Sequence, residues 1–595
     1  MHRQFRELLR PFGRQYSKFI AGVALRQALL VVGGYSLVWA LRVSLSHREI
    51  PEWAFVAAFI VFDAGYLSFD LALTYFFSSR ISFPLFGHLR WTALAKVFRM
   101  PLEWHHRKSS GTLVGEVNNG VGKVVQTAES LSRELCPALI QTAFSLVPLL
   151  LFSPRTMPAI FAALVLFMCL TVAENRRRQP HARVRYRNYA KDFGLFAESV
   201  EAIQPVVQYG QTGRVLRDYG TLQQEIAGEG LAEASMAARY GWWRNMVVSV
   251  AKRGCQGYWF WQYRQGTLDP AMLMYLNMLT EQLLSSFGGY ASLLERIYDG
   301  LEPTRNLMGM LEEEPSIADA PGSTRVPVPT GAAAGIRMEN VTFGYVPGRP
   351  VLRNFSLHVE AGKVLGMVGR SGCGKTTIHS LLARMYEAQQ GRILICGRDI
   401  RAWPLEQLRG MFSWVSQNGG VFFSGMPLAD VIRFTRPDAT FEDVVEAARV
   451  ACIHEDIMRM PEQYRTRIGQ GGLTLSKGQQ QRVALAQAVL ALDDARGILV
   501  LDEFTSALDS ETEERILANL EPYLAGRTVI IVAHRLSTIR RVAHQIVVLD
   551  REGIVEQGTH AELIRRGGWY ATMARLQATG ESETPAERPV LVKVS

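Results

Sequence analysis

Three stretches of the chain hold residues whose types and spacing suit phosphate chemistry. VLGMVGRSGCGKTT (364–377) sets a glycine-rich loop between an apolar run and a helix-like run, with the spacing G-x-x-x-x-G-K-T. Backbone N–H groups around Gly372 and Gly374 can surround phosphate oxygens, Lys375 can reach terminal phosphates, and the Thr376 hydroxyl can ligate Mg²⁺. Gly369, Ser371, Cys373 and Thr377 complete this loop and the turn after it. GILVLDE (497–503) ends an apolar strand on two carboxylates. Asp502 can hold Mg²⁺ through water, and Glu503 can polarise a water for in-line attack on phosphorus. Such a pair is commonplace alone; after a phosphate loop it completes a phosphoryl-transfer set. In TLSKGQQQR (474–482), Leu475 and Ser476 precede an apolar segment in the manner of a helix N-terminus prepared for phosphate, with Lys477 where a second glycine is expected.

These groups need an α/β framework, and the second half of the chain supplies its pattern of short apolar strands, glycine-rich turns and polar helices. A chain of 595 residues exceeds one ordinary core, since domains run to roughly 100–200 residues. The first three hundred residues instead hold apolar runs near 20–45, 54–78, 135–153, 156–174, 243–264 and 268–290, each about long enough to cross a bilayer. Arg176, Arg177, Arg178, Arg183, Arg185 and Arg187 place the long joins in the cytosol, so the net charge of +10 reads as topology and not as a nucleic-acid footprint. The basic start through Lys18, with no small-residue cleavage site after it, predicts a retained first span. Six scattered cysteines without CxxC spacing fit a reduced, cytosolic soluble half. The long joins carry turn-like breaks at SSGTLVGEV (109–117) and QYGQTGR (208–214), where each could fold back through a short crosspiece, either as a surface for the soluble half or as a solvated charged hairpin.

The order of motifs resembles that of an ATP-binding cassette (ABC) transporter half-subunit of the exporter architecture. The expected fold is multidomain: an all-α six-helix transmembrane domain followed by an α/β P-loop nucleotide-binding domain. Its expected divisions are 1–311 membrane, 312–335 a Pro/Gly/Ala-rich linker, 336–577 nucleotide-binding, and 578–595 a flexible tail. The resemblance implies that Tyr345 in VTFGY stacks on adenine and that Gln417 in WVSQNGGVFFSG joins Mg²⁺ to the membrane domain. It also implies that LSKGQ is the signature motif, with Ser476, Gly478 and Gln479 as its phosphate clamp. Ser506 to Asp509 would form the D-loop, and His534 in IIVAHRLST the switch histidine. The implied ligands are ATP and Mg²⁺, the metal held by Thr376, Gln417 and Asp502, with Glu503, His534 and Gln417 serving catalysis.

Because the family's signature motif closes over the partner's ATP, the resemblance implies a dimer with a second half-transporter, either a copy or a different chain. It implies ATP-driven alternating access exporting a small or amphipathic substrate, with crosspieces in the long joins as coupling helices. The expected setting is a lipid bilayer, the bacterial inner membrane, with the nucleotide domain cytosolic. Departures from the family pattern are Lys477 in the signature, Gln470 where glutamate is frequent, and Phe504 where alanine is usual. The motifs leave open an importer of metal chelates on the same fold. They also leave a nucleotide-gated channel or regulator, which the intact Glu503 opposes. Cys373, inside the phosphate loop, is expected to make hydrolysis sensitive to alkylation. Asp63, Lys252 and Arg253 fall at similar membrane depth, where they either pair between subunits or face an anionic substrate.

Overall fold

The computed structural model describes residues 10–46, 52–107, 110–319, 334–370, 372–416, 420, 425–469, 472–492, 497–533, 535–550 and 553–579. Ser371, Gln417, Gln470 and His534 lie outside that set, as do most of the linker and the tail beyond Thr579. The chain divides into two compact units, Met1–Pro315 and Ser316–Ser595.

The first unit is built from the helices Gly13–Ser46, Glu52–Phe77, Phe83–Arg99, Ser110–Ser130, Cys136–Phe152, Met157–Glu201, Thr212–Arg264 and Pro270–Glu312. All six expected spans fall on these helices. Among the described residues, Val56–Arg99, Gly111–Phe152 and Pro154–Glu201 are apolar and long enough to cross a membrane by length and composition. The helices carrying the fifth and sixth expected spans also carry Lys252, Arg253 and Glu281, which dilute their apolar character. Two π-helical turns, Ser78–Ser82 and Leu131–Leu135, join consecutive α-helices into continuous rods. The neighbourhoods of these turns are tied together: Ser82 Oγ donates to Glu129 at 2.6 Å, and Arg133 donates to Thr74 at 3.5 Å.

Both long joins fold back through short helices, Leu102–His106 and Ile203–Gln208. The first short helix lies just upstream of 109–117, and the join to the helix from Ser110 includes Lys108 and Ser109, which lie outside the described residues. Pro101 opens the short helix in an extended conformation, whereas Gly111 and Gly115 belong to the following long helix. A Cβ on Gly111 would stand 2.9 Å from that of Ala197, and one on Gly115 would stand 3.3 Å from Phe193. These glycines permit close helix packing and do not make a turn. In the second join Gly210, at φ +63°, supplies the expected break.

The basic stretch after the fourth span is only partly solvated. Arg178 is buried and bonds Glu295 at 2.6 Å, with Glu174 at 3.5 Å and Glu233 at 3.6 Å. Arg185 grips Glu233 through two bonds of 2.9 Å, and Arg244 meets Glu174 at 2.9 Å. These charges fasten three long helices together.

The second unit is the expected α/β fold. A four-stranded antiparallel sheet is formed by β1 (Ile336–Phe343), β2 (Leu352–Val359), β4 (Gln390–Ile395) and β5 (Arg398–Asp399), in the order β2-β1-β4-β5. A six-stranded sheet carries β3 (Val364–Gly369), β6 (Phe412–Val415), β9 (Ile498–Asp502), β10 (Thr528–Val532), β11 (Gln545–Asp550) and β12 (Gly553–Gly558). Its order is β12-β11-β3-β10-β9-β6, parallel except for β12, and the two-residue strands β7 (Met426–Pro427) and β8 (Arg467–Ile468) pair apart from it. Strands β9 and β10 are buried along their whole length, as a parallel sheet covered on both faces requires.

Candidate nucleotide site

Strand register brings the phosphate loop and the acidic pair to one edge of the large sheet. Val532 of β10 aligns with Met367 of β3 on one side and with Asp502 of β9 on the other. The carboxyl ends of parallel strands are where open α/β sheets bind ligands. From β3 the chain turns through the loop into the helix Lys375–Leu382. Gly374 sits at φ +99°, and a Cβ there would press Leu352 at 3.0 Å, so conformation and space both call for glycine. Lys375 is buried, its ammonium donating to Gly369 O at 2.6 Å and Arg370 O at 3.2 Å. A cation held beneath the loop by neutral carbonyls can shift those hydrogen bonds to phosphate oxygens.

Thr376 and Thr377 have separate surroundings. Thr377 is buried and hydrogen-bonded to the Tyr345 hydroxyl at 3.1 Å, whereas Thr376 is exposed. Tyr345 packs edge-on against Phe343 and Tyr386 and remains 48% exposed, leaving ring surface for a flat partner. The Cys373 side chain is only 3% exposed, and burial pushes its thiol up against the opposing pull of Lys375. Ready alkylation is therefore disfavoured, because the thiolate is the reactive form.

Glu503 follows the buried Asp502 and occupies the left-handed region at φ +50°. Its N–H donates to Val532 O at 2.9 Å and its carbonyl accepts from Ser506 N at 3.1 Å, so the bend is held from two sides. Gln481 reinforces it, donating to Ser506 Oγ at 2.8 Å and accepting from Ala507 N at 3.1 Å. Phe504 is 1% exposed within the core, and the larger departure from alanine is absorbed there.

The helix Lys477–Ala491 begins with a capping box: Ser476 Oγ accepts from Gln479 N at 3.2 Å, and Gln479 Oε1 accepts from Ser476 N at 3.0 Å. Gly478 backs onto the segment 506–509, where a Cβ would stand 3.0 Å from Ala507 O. Lys477 is exposed at the first helical position. Asp509 caps the helix Ser510–Leu524, and its bonds from Thr512 N and Oγ1 hold its carboxyl below the ordinary range. Beside His534, Arg535 pairs with Glu513 and donates to Leu508 O at 3.3 Å.

Mg²⁺ takes oxygen donors and keeps several waters, so one or two protein oxygens beside phosphate suffice. The Thr376 hydroxyl and Asp502 carboxylate fit that need; among the described residues no group of three or more His, Cys, Asp or Glu forms a metal cage. His379, Gln481, Glu513 and Arg535 were not among the residues expected of the site, although His379 follows Lys375 by one helical turn. In the membrane unit, Lys252 pairs with Glu281 of its own chain, Arg253 donates to Gln256 at 3.1 Å, and Gln256 donates to Asn277 at 2.5 Å. Asp63 is exposed, and Arg26 pairs with Asp70 on the same helix as Asp63. Lys252 thus has a partner overlooked in the sequence: Glu281, a charge in the sixth apolar run.

Residues 53–287 match the ABC transporter transmembrane region and residues 352–506 match the ABC transporter family. The chain is 32% identical to an ATP-dependent lipid A-core flippase of Legionella pneumophila, covering 83% of this chain and 82% of the flippase. It is 31% identical to human ATP-binding cassette sub-family B member 6, over 86% of this chain but 58% of that longer protein. A bacterial Atm1-family ABC exporter with ATP bound has a similar structure, with TM-score 0.87, 26% identity, and coverage of 96% of this chain and 99% of that one.

Proposed function

We propose, for a chain that belongs to the ABC transporter family as a half-subunit of the exporter architecture, that one subunit's phosphate loop and the partner's signature helix together enclose ATP. ATP hydrolysis coupled to transport is the activity of the family, and the similarity to the lipid A-core flippase and to the Atm1-family exporter favours export over the importer and channel readings. The observation that carries the site assignment is the shared sheet edge, with Lys375 folded beneath the loop and Asp502 at the end of a buried strand. In this reading Lys375 moves its hydrogen bonds onto the terminal phosphates, while the loop amides from Gly369 through Thr377, including Ser371, Gly372, Cys373 and Gly374, surround the chain of phosphates. The Tyr345 ring stacks on adenine. Glu503 accepts the proton of the attacking water. Thr376, Asp502 and Gln417 hold Mg²⁺, which when bound offsets phosphate charge, and His534 contacts the terminal phosphate.

The partner's Ser476, Gly478 and Gln479 close the site, with its Asp509 supporting them from the D-loop. A second copy of this chain suffices, because both halves of the required set occur in one sequence. We assign 1–311 to the membrane domain, 312–335 to the linker, 336–577 to the nucleotide domain and 578–595 to the tail. We place the protein in a bacterial inner membrane with its nucleotide domain cytosolic, an orientation supported by the arginines after the fourth span. The cargo is a small or amphipathic molecule with a polar group; the patch of Lys252, Arg253, Gln256, Asn277 and Glu281 supports this. In protein reconstituted in lipid, Glu503→Gln is expected to retain ATP binding, abolish steady-state hydrolysis and accumulate a closed dimer. Turnover within twofold of wild type would remove Glu503 from the reaction.

A further inference from the structure

His379 lies on the helix that begins with Lys375, one turn along, and its side chain is buried. Its Nδ1 stands 3.4 Å from Asp502 Oδ2, while its Nε2 is buried with no hydrogen-bond partner among the described residues. Trp414 of β6 meets the imidazole edge-on at 6.0 Å and is itself stacked on Phe412 at 4.9 Å. The ring is therefore bounded by an aromatic wall on one side and faces the carboxylate expected to serve the metal.

An apolar side chain would fill this space without burying a polar atom. An imidazole with an orphaned nitrogen costs free energy that packing alone does not return. The tautomer follows from the neighbours. With hydrogen on Nδ1 the ring donates to Asp502, whereas the other tautomer sets a lone pair against the carboxylate and buries an N–H without an acceptor. The 3.4 Å separation is longer than a formed hydrogen bond, and catalytic contacts of this kind shorten when the site is loaded.

We propose that His379 is a positioning residue for phosphoryl transfer, its Nδ1–H holding Oδ2 of Asp502 so that the carboxylate keeps one orientation toward the divalent cation. This rests on the assignment of Asp502 to that cation. The role is carried by a hydrogen-bond donor in a fixed place. Asparagine sets its amide nitrogen near the position of Nδ1, glutamine carries its own one carbon further, and leucine has none.

The test uses the full chain in lipid nanodiscs and three variants, His379→Asn, His379→Gln and His379→Leu, each checked for an unchanged thermal midpoint without nucleotide. Mn²⁺ binding in the presence of ADP, read by electron paramagnetic resonance, is expected to weaken at least fivefold in His379→Leu and to recover to within twofold of wild type in His379→Asn. The kcat for ATP is expected to fall at least tenfold in His379→Leu with KM for ATP within twofold, and to recover to within threefold in His379→Asn. Should His379→Leu fail to fold, the Asn and Gln variants decide, with Gln expected to lose both Mn²⁺ affinity and kcat. Wild-type values in His379→Leu, or equal losses in the Asn and Gln variants, would overturn the proposal while leaving the Asp502 assignment standing. Undiminished Mn²⁺ binding in Asp502→Asn would overturn both.

Discussion

At the scale of single residues, the two middle positions of LSKGQ answer to different constraints. Position 477 opens a helix and points to solvent, so the structure imposes no steric demand for glycine there. A lysine at a helix N-terminus opposes the macrodipole by about 0.3–1 kcal/mol, a cost that the phosphate of the proposed site would offset. Position 478 is closed, because an added Cβ meets the backbone oxygen of Ala507 and the side chain of Leu508. Lys477→Gly is accordingly expected to keep ATPase activity within about threefold of wild type, about 0.7 kcal/mol on the barrier. Gly478→Ala should lower it at least about tenfold by displacing the D-loop, a change of about 1.4 kcal/mol or more. Steady-state hydrolysis by the two variants side by side checks the contrast, and equal losses would contradict it.

At the scale of elements, side-chain caps set the starts of several helices in the nucleotide unit. Thr440 and Asp443, Thr559 and Glu562, and Ser476 and Gln479 form reciprocal boxes, while Asp509 caps alone. Donated hydrogen bonds, backbone N–H first, hold the carboxyls of Asp443, Asp509 and Glu562 below their ordinary range. A depressed folded-state pKa gives stability that is fully present above the unfolded value, about pH 4, and is lost as pH falls through the folded value. In the full chain the thermal midpoint of the nucleotide unit is therefore expected to fall below about pH 4, less steeply in Asp443→Asn/Glu562→Gln than in wild type. Equal slopes would exclude these caps.

The strands, the phosphate loop and the acidic pair were legible in sequence because local spacing determines them. The helices that carry the six expected spans were legible as apolar runs, although Lys252, Arg253 and Glu281 interrupt the last two. The part played by Gly111 and Gly115 in the first join was not legible, because a glycine admits both a turn and a close helix contact, and only Ala197 and Phe193, some eighty residues away in sequence, decide between them. The His379 contact was hidden for the same reason, since it depends on strand β9 lying beside the helix from Lys375.

At the scale of the membrane unit, Arg178 acts as a hub for Glu174, Glu233 and Glu295, drawn from three long helices. Removing one partner from a buried set leaves charge without compensation, at a cost of about 3–5 kcal/mol. Arg178→Met is expected to lower the thermal midpoint of the detergent-solubilised protein. Adding Glu295→Gln should return part of the loss, because Glu295 bonds Arg178 at 2.6 Å, whereas Glu174 keeps Arg244 and Glu233 keeps Arg185. A double variant less stable than the sum of the two single changes would contradict a shared network.

The two π-helical turns have a consequence for changes in chain length. A π turn accommodates a surplus residue within one widened loop of backbone. The helix on either side can keep its facing although the sequence count has slipped by one, about 100° of arc on a regular helix. Deleting a residue elsewhere in these rods re-aims everything beyond it. Deleting one within Ser78–Ser82 or Leu131–Leu135 lets the widened loop close to an ordinary turn. These two places act as slack in the rods, where an insertion or deletion can be absorbed while lipid-facing and protein-facing surfaces keep their bearings.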